Sequence, residues 1–118
     1  MPSEAERVIE RLKDISDNID AARAFVAGKT LDQFNADQML NYAVVRALEI
    51  VSEATRHLPD DIKARHPHIA WQAIQSSGNV FRHGYKAVTL EVVWDTVQRD
   101  LAPLKAAVLA ELERLGGG

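Results

Sequence analysis

The chain has 118 residues, of which 47% are hydrophobic and 26% are charged, proportions typical of a folded domain and not of a disordered segment. Its net charge of −3 excludes an overall basic surface, so any site for nucleic acid has to be a local patch. The absence of cysteine excludes disulfides and thiolate metal sites. Without a secretory h-region or a run of about 18 apolar residues, we expect a cytoplasmic protein with no membrane span.

The first predicted element is an amphipathic helix. Ser3 and Glu6 match a capping box at its start, and Gly28 supplies a stop. A second capping box, Thr30 with Gln33, opens a short helical turn. Between the first cap and the stop, apolar residues recur every three or four positions: Val8, Leu12, Ile15, Ile19, Ala22 and Val26.

The second long helix is predicted to be the central and most buried one. We expect it to start at Asn35, with Gln38 in the third position, and to run to about Leu58 before Pro59. Most of its circumference is apolar, but one stripe is polar and consists of Tyr42, Arg46, Glu49, Glu53 and Arg56. Two interpretations stay open: a solvated face with i,i+3 and i,i+4 ion pairs, or the lining of a cleft or subunit interface.

The second half of the chain predicts three further helical segments. Residues 60–65 can form one turn before the connector HPH, and an apolar face then runs from Trp71 to Phe81. Thr89 is the expected cap of the last helix. Pro103 lies inside that helix and should kink or split it near Asp100.

These patterns predict an all-α protein, a four- to five-helix up-and-down bundle. We expect one domain over residues 1–115 and a flexible C-terminal tail over 116–118. Trp71 and Trp94 each fall near an apolar stripe, so core packing is favoured over base stacking. The four histidines lack metal-ligand spacing, so we expect no metal and no cofactor.

The stretch GNVFRHGYK, which begins in the last turn of the predicted 71–81 helix and runs past its end, carries most of the candidate chemistry. His83 falls where that helix runs into a glycine-containing turn, and an ordinary imidazole pKa of about 6.5 suits acid–base work. Arg82, His83 and Lys86 form a small cationic cluster beside Tyr85. That cluster is either a solvated basic turn or a contact to a phosphate backbone.

Three stretches carry a resemblance that covers nearly the whole chain: YAVVRALEIVSEA, WQAI…NVFRHGY and EVVWDTVQRDLAPLK. They resemble the HepT-like toxins of the HEPN superfamily, which occur in bacteria and archaea beside a minimal nucleotidyltransferase antitoxin. The family pattern is an arginine–asparagine pair, three variable residues and His-x-Tyr, followed by a helix that opens with a valine–tryptophan pair. The resemblance implies a HEPN-like helical fold.

The resemblance also implies a function, metal-independent cleavage of an RNA substrate. The family motif falls on Gly78, Asn79, His83 and Tyr85, with His83 in proton transfer and Asn79 in positioning. The motif arginine, which neutralises phosphate charge in the transition state, is replaced here by Gly78. In an ideal helix Arg82 would approach from the wrong flank to substitute for it.

Gly78 has two explanations, and both stay open. It is either a deliberate inactivating change or a natural degenerate site that leaves a binding protein; the intact remainder of the motif favours the first. The alternative function is accordingly a non-catalytic helical module that binds nucleotide, RNA or a nucleotidyltransferase partner.

The resemblance further implies two partners besides RNA. The first is a second copy of the chain, because the family is typically dimeric, with the motif helices facing one another. Arg46 would then contact phosphate, and Glu49, Glu53 and Arg56 would line the interface or cleft. The second is the cognate antitoxin, which in related pairs transfers nucleotide groups onto the motif tyrosine, here Tyr85.

Overall fold

The computed structural model describes residues 1–81 and 87–116, with side chains described over residues 1–76 and 90–116. These ranges contain seven helices and no strand, which confirms the all-α prediction. None of the helices in these ranges is long and apolar enough to span a membrane. The helices are α1 (Glu4–Val26), α2 (Leu31–Ala36), α3 (Gln38–Arg56), α4 (Asp60–Arg65), α5 (Trp71–Phe81), α6 (Ala87–Arg99) and α7 (Leu101–Arg114).

Side-chain caps set the ends of the first two helices as the sequence predicts. The Ser3 hydroxyl accepts a hydrogen bond from the Glu6 amide at 3.1 Å, and Gly28 follows α1 in the left-handed region at φ +74°, where a residue without Cβ is favoured. In α2 both bonds of the capping box form. Gln33 N–H donates to the Thr30 hydroxyl at 3.1 Å, and Thr30 N–H donates to Gln33 Oε1 at 2.9 Å.

Two predicted helix starts are wrong. Asn35 belongs to α2, and α3 begins after Asp37, whose carboxylate accepts from the Leu40 amide at 3.0 Å. An aspartate in this position satisfies a backbone donor that the first turn of a helix leaves unpaired. Thr89 lies inside α6 and not at its cap, since that helix already begins at Ala87.

The predicted break at Pro103 is confirmed by the boundary between α6 and α7. α6 ends at Arg99, α7 begins at Leu101, and Asp100 lies between them. Proline lacks the N–H that would bond to the carbonyl of Arg99, and its ring collides with that carbonyl in a straight helix. The helix is therefore interrupted at Asp100, and α7 packs on α1.

α3 lies at the centre of the bundle, where it packs against α1, α2, α5 and α6. Burying each large aliphatic side chain contributes about 1.5–3 kcal/mol, and α3 supplies several on opposite sides of its axis. The largest side chains that are less than 2% exposed come from five helices: Leu12, Ile15, Ile19, Phe34, Val44, Val45, Val51, Val93, Leu101, Leu104 and Val108.

Both tryptophans pack against the core, as expected. Trp71 is partly buried, and its indole N–H donates to the carbonyls of Lys63 at 3.1 Å and His66 at 3.0 Å. The Trp94 ring lies 5.6 Å from the Phe34 ring, centroid to centroid, at a tilt of 41°. Trp71 thereby fixes the start of α5 to the connector that precedes it.

Replacing the α3 cap should cost measurable stability. We expect Asp37→Ala to lower the free energy of unfolding by about 1 kcal/mol, because the Leu40 amide loses its acceptor. Urea denaturation followed by circular dichroism measures the change. Asp17→Ala, an exposed mid-helix change of the same charge, is the control and should stay within about 0.5 kcal/mol. Equal losses in the two variants would show that the cap contributes nothing specific.

Candidate functional site

The motif predicted from the sequence falls at the end of α5. Gly78 and Asn79 belong to the last turn of that helix, and their side chains lie outside the described residues. Arg82, His83, Tyr85 and Lys86 fall between α5 and α6, also outside the described residues. The structure therefore places the backbone of the motif helix, and the roles of these six residues stay predictions.

Two polar contacts and one buried side chain hold α5 against the bundle. Ser52, fully buried on α3, donates from its hydroxyl to the Gln75 carbonyl at 2.9 Å. The Trp71 indole bonds at the helix start, and Ile74 is only 4% exposed. The half of α5 that precedes the motif is thus fixed to α3, and rigid elements of this kind position catalytic groups more accurately than loops do.

The α3 face that meets α5 also carries Asn41, a residue that the sequence analysis did not single out. Asn41 is 5% exposed, and its Oδ1 has no hydrogen-bond partner among the described residues. In an ideal helix Asn41 and Ser52 are eleven residues apart and point in nearly the same direction. A buried carbonyl without a donor costs on the order of 1–3 kcal/mol, so this face combines apolar packing with one unpaired acceptor.

A groove of about 370 Å³ separates α5 from α6. Its walls include Ala73 and Ile74 from α5 and Val92 from α6, and its charged side chains are Asp95, Arg99 and Asp100. Because two of the three charged groups are carboxylates, this groove disfavours a phosphate.

One part of the polar stripe of α3 fits the interpretation as a cleft lining, and another part fits the interpretation as a solvated face. Arg46, Glu49 and Glu53 line a groove of about 270 Å³ together with Arg11 and Asp14 of α1. That part of the stripe fits the cleft interpretation. Whether the groove is also a subunit interface stays a prediction.

The remaining part of the stripe lies outside that groove. Tyr42 is 49% exposed and accepts from the Gln38 amide at 3.2 Å through its hydroxyl oxygen. Arg56 forms the expected i,i+3 ion pair with Glu53 at 3.2 Å, and His57 also lies 2.9 Å from that carboxylate. These contacts fit the solvated interpretation, in which such pairs contribute a few tenths of a kcal/mol.

A buried carboxylate that the sequence analysis missed joins α4 to α7. Glu111 is 2% exposed, and its Oε1 lies 2.6 Å from Arg65 Nη2. Its Oε2 lies 2.7 Å from His66 Nε2. Arg65 also contacts Asp61 at 3.4 Å, and Arg114 approaches Glu111 at 3.6 Å.

The surroundings of Glu111 favour its charged form. The hydrogen bond from Arg65 is the largest influence and holds the pKa of Glu111 below its usual value, while burial opposes that shift. The same hydrogen bond raises the pKa of the Arg65 guanidinium. Because the His66 carbonyl accepts from Trp71, this cluster also fixes the connector from which α5 begins.

One sequence signal could have revealed this cluster. Glu111 stands between Val108 and Leu112 on the apolar stripe of α7, where a charged residue has to find a partner. The sequence does not say which partner, because Arg65 and His66 are more than forty residues away. In the described part of the chain, no group of three or more His, Cys, Asp or Glu residues could hold a metal ion.

Comparison with protein families identifies the group to which this helical chain belongs. A family model described as "Ribonuclease HepT-like" matches residues 5–110, which include all of α1 to α6 except Glu4 and most of α7. The chain belongs to the HepT-like ribonuclease family. The resemblance stated from the sequence is thereby confirmed.

Three relatives illustrate the match. "Probable ribonuclease HepT" of Thermococcus cleftensis is 35% identical over 94 residues, 80% of this chain and 86% of the relative. "Putative RNase TTE0752" of Caldanaerobacter subterraneus subsp. tengcongensis is 29% identical over 111 residues, 94% and 87% of the two chains. "Gamma-glutamylcyclotransferase and putative RNase MJ0434" of Methanocaldococcus jannaschii is 30% identical over 104 residues, 88% of this chain but 47% of that longer protein. No solved structure gives a significant match to the chain.

The Glu111 cluster predicts a specific acid sensitivity. Because the pKa of Glu111 is lowered in the folded state, its stabilisation is complete above the usual carboxyl pKa of about 4.3 and is lost as the pH falls through the lower folded value. We expect Glu111→Gln to reduce the free energy of unfolding by about 1–3 kcal/mol at neutral pH, less than for a fully buried pair because Arg65 is about one-third exposed.

The same Glu111→Gln variant should lose less stability than the parent between about pH 5 and pH 2. Urea titrations at several pH values measure both effects, and Glu113→Gln, an exposed change on the same helix, is the matched control. A parallel pH dependence in the parent and Glu111→Gln would contradict the assignment of this carboxylate.

Proposed function

We propose that this chain is the toxin component of a type II HEPN/MNT toxin–antitoxin system and that its fold is built to cleave RNA without a metal. The observation that carries the proposal is family membership over residues 5–110, combined with a motif helix that ends where the His-x-Tyr sequence begins. The relatives named as ribonucleases support RNA as the substrate class.

The proposed chemistry is an internal transfer at phosphorus. The ribose 2′-oxygen attacks the adjacent phosphorus as its proton is removed, the bond to the 5′-oxygen breaks, and that oxygen takes up a proton. The products are a 2′,3′-cyclic phosphate and a 5′-hydroxyl. His83 would move these protons, and Asn79 would position the phosphate.

The chain lacks one group that this mechanism needs, a fixed cation at position 78. The phosphorane-like transition state carries extra negative charge on its oxygens, and a fixed cation stabilises it. Gly78 has no such cation, and losing one preorganised charge donor costs on the order of 10²–10³ in rate. We therefore propose that this chain has little or no ribonuclease activity as it stands.

The helix itself accommodates the missing arginine. Gly78 lies in the last turn of α5, where an arginine has a higher helix propensity than glycine by up to about 1 kcal/mol. The substitution should therefore leave the fold intact. Arg82 and Lys86 would add phosphate contacts nearby, and Arg46 would contribute from the α3 groove.

The proposed assembly has two further partners. One is a second copy of this chain, with Glu49 and Glu53 of the α3 groove beside the interface and Arg56 at its edge. The other is a minimal nucleotidyltransferase antitoxin that modifies Tyr85. A nucleotidyl group there would block the site by its bulk and its negative charge.

The alternative function is a non-catalytic helical module that binds nucleotide, RNA or the nucleotidyltransferase. The glycine at position 78 favours this alternative, because a binding protein does not need the transition-state cation. The two functions make opposite predictions when the arginine is restored.

Restoring the arginine should restore cleavage. We expect Gly78→Arg to cleave single-stranded RNA at least about 10²-fold faster than the parent and to arrest growth when expressed without a partner. Purified protein incubated with labelled RNA and EDTA measures the cleavage, and the products should carry 2′,3′-cyclic phosphate ends.

Two variants make this result specific. Gly78→Gln removes the glycine and lengthens the side chain without a charge, so it should stay inactive. Adding His83→Ala to Gly78→Arg should abolish cleavage and relieve the growth arrest. If Gly78→Arg is as silent as the parent although folded, the enzyme proposal fails, and binding to a nucleotidyltransferase is the function left to test.

The proposed modification of Tyr85 gives a separate prediction. Co-expressing a cognate minimal nucleotidyltransferase should silence the Gly78→Arg chain and add the mass of nucleotidyl groups. Adding Tyr85→Phe should prevent both effects, because phenylalanine lacks the acceptor hydroxyl. Tyr42→Phe, at the other tyrosine of the chain, should change neither. Intact-protein mass spectrometry decides the matter, and a mass increase that persists in Tyr85→Phe would rule out this acceptor.

A further inference from the structure

A cavity of about 490 Å³ opens where the end of α1 meets α6 and the start of α7. Its volume lies within the usual range of about 300–1,000 Å³ for small-molecule sites. It lies beside α6 and away from the α5–α6 groove, and the proposed cleavage does not use it. The residues that line it are Arg23, Ala24, Val26, Ala27, Gly28, Lys29, Trp94, Val97, Gln98 and Ala102.

The charged side chains of this cavity are both cations. Arg23 comes from the last turn of α1 and Lys29 from the loop that follows it, and no carboxylate lies among the described residues that line the space. Three other cavities lined by described residues each contain at least one carboxylate. In a chain with a net charge of −3, this cavity is therefore a local site that favours an anion.

The two cations are also available. Among the side chains described over residues 1–76 and 90–116, Arg23 and Lys29 form no ion pair, and both are exposed. Other cations of the bundle are engaged, such as Lys105 with Asp20 and Arg65 with Glu111. An anion reaching the cavity would not have to displace a carboxylate.

The wall beside these cations is aromatic and apolar. Trp94 is partly buried, lies against the Phe34 ring and is one of the residues that line the cavity. Val97 is buried beneath it, and exposed Gln98 stands at the rim with an amide that both donates and accepts. These groups suit the parts of a nucleotide. The two cations can bind its phosphate, the indole can stack on the flat face of its base, and the amide can bond to the polar edge of the base.

We infer that this cavity binds one nucleotide unit, with its phosphate on Arg23 and Lys29, its base against Trp94 and its base edge at Gln98. The assignment of this cavity as an RNA subsite rests on the proposed substrate class, RNA, but not on the proposed cleavage reaction. Trp94 lies seven residues after Ala87, roughly 10 Å along α6, a distance that about three nucleotides of a stacked strand cover. A strand held here would therefore reach the α5–α6 junction.

Binding assays on the chain as it exists test the inference. A short single-stranded adenosine oligonucleotide and adenosine 5′-monophosphate are titrated separately, with the fluorescence of the two tryptophans as the signal. We expect the base to quench Trp94 on stacking, and Trp94→Phe, which keeps an aromatic ring beside Phe34, should lose that quenching. Anisotropy of the labelled oligonucleotide gives Kd independently.

A double variant tests the phosphate contacts. Arg23→Ala with Lys29→Ala should raise Kd for the oligonucleotide about tenfold at low salt and reduce the salt slope of binding by about 0.7, the loss expected for one phosphate contact on a single strand. Arg7→Ala with Lys13→Ala is the matched control. It removes the same charge from exposed α1 positions outside the cavity and should leave both quantities nearly unchanged.

The outcomes of these assays show whether the cavity binds a nucleotide and whether that nucleotide is free or part of an RNA chain. Quenching by the oligonucleotide alone identifies a subsite of an RNA chain, and quenching by the monophosphate as well identifies a site that also takes free nucleotides. If neither ligand quenches Trp94, or if the double variant binds like its control, the inference is overturned. Polyglutamate that competes equally well without quenching would also overturn it, in favour of an acidic protein partner.

Cleavage is scored separately in the Gly78→Arg background. A chain that cleaves RNA but shows no dependence on Arg23 and Lys29 refutes the subsite alone. A chain that binds the oligonucleotide through this cavity but does not cleave it refutes the proposed ribonuclease reaction alone.

Discussion

The burial of α3 is the constraint on which the rest of the structure depends. This helix packs against α1 on one side and α5 on the other, so most of its surface has to be apolar. The hydroxyl of Ser52 donates to the Gln75 carbonyl across this contact, so burying that hydroxyl does not leave it unpaired. Hydrophobic packing, this hydrogen bond and the indole contacts of Trp71 thereby fix the position of α5, the helix whose last turn contains Gly78 and Asn79.

Charge is distributed over this bundle in two distinct ways. Around Glu111, the Arg65 guanidinium and the His66 imidazole contact a buried carboxylate and fasten α4 and its connector to α7. At the end of α1, Arg23 and Lys29 border a cavity whose described lining contains no carboxylate. The first arrangement uses charge to hold elements together, whereas the second leaves charge available to a ligand. Net charge alone could not distinguish them, because both occur in one acidic chain.

The fold and the proposed activity depend on position 78 in different ways. The backbone there is helical, a conformation that arginine adopts more readily than glycine. The proposed chemistry depends on which residue stands there, because charge on a phosphorane-like transition state requires a fixed cation. A family member can therefore keep its fold while losing its reaction, and for this reason membership and activity have to be tested by different experiments.

The sequence by itself determined the helices and the family, because 3.6-residue periodicity, capping side chains and Pro103 act over only a few residues. It misplaced the start of α3 because Asn35 and Asp37 are both acceptable caps, and only packing selects between them. Only the tertiary structure decided which distant groups come together: Glu111 pairs with Arg65, the α3 stripe borders a groove with α1, and Arg23 and Trp94 line one cavity. Such contacts join residues that are tens of positions apart, and their partners depend on how the helices pack, which no local pattern records.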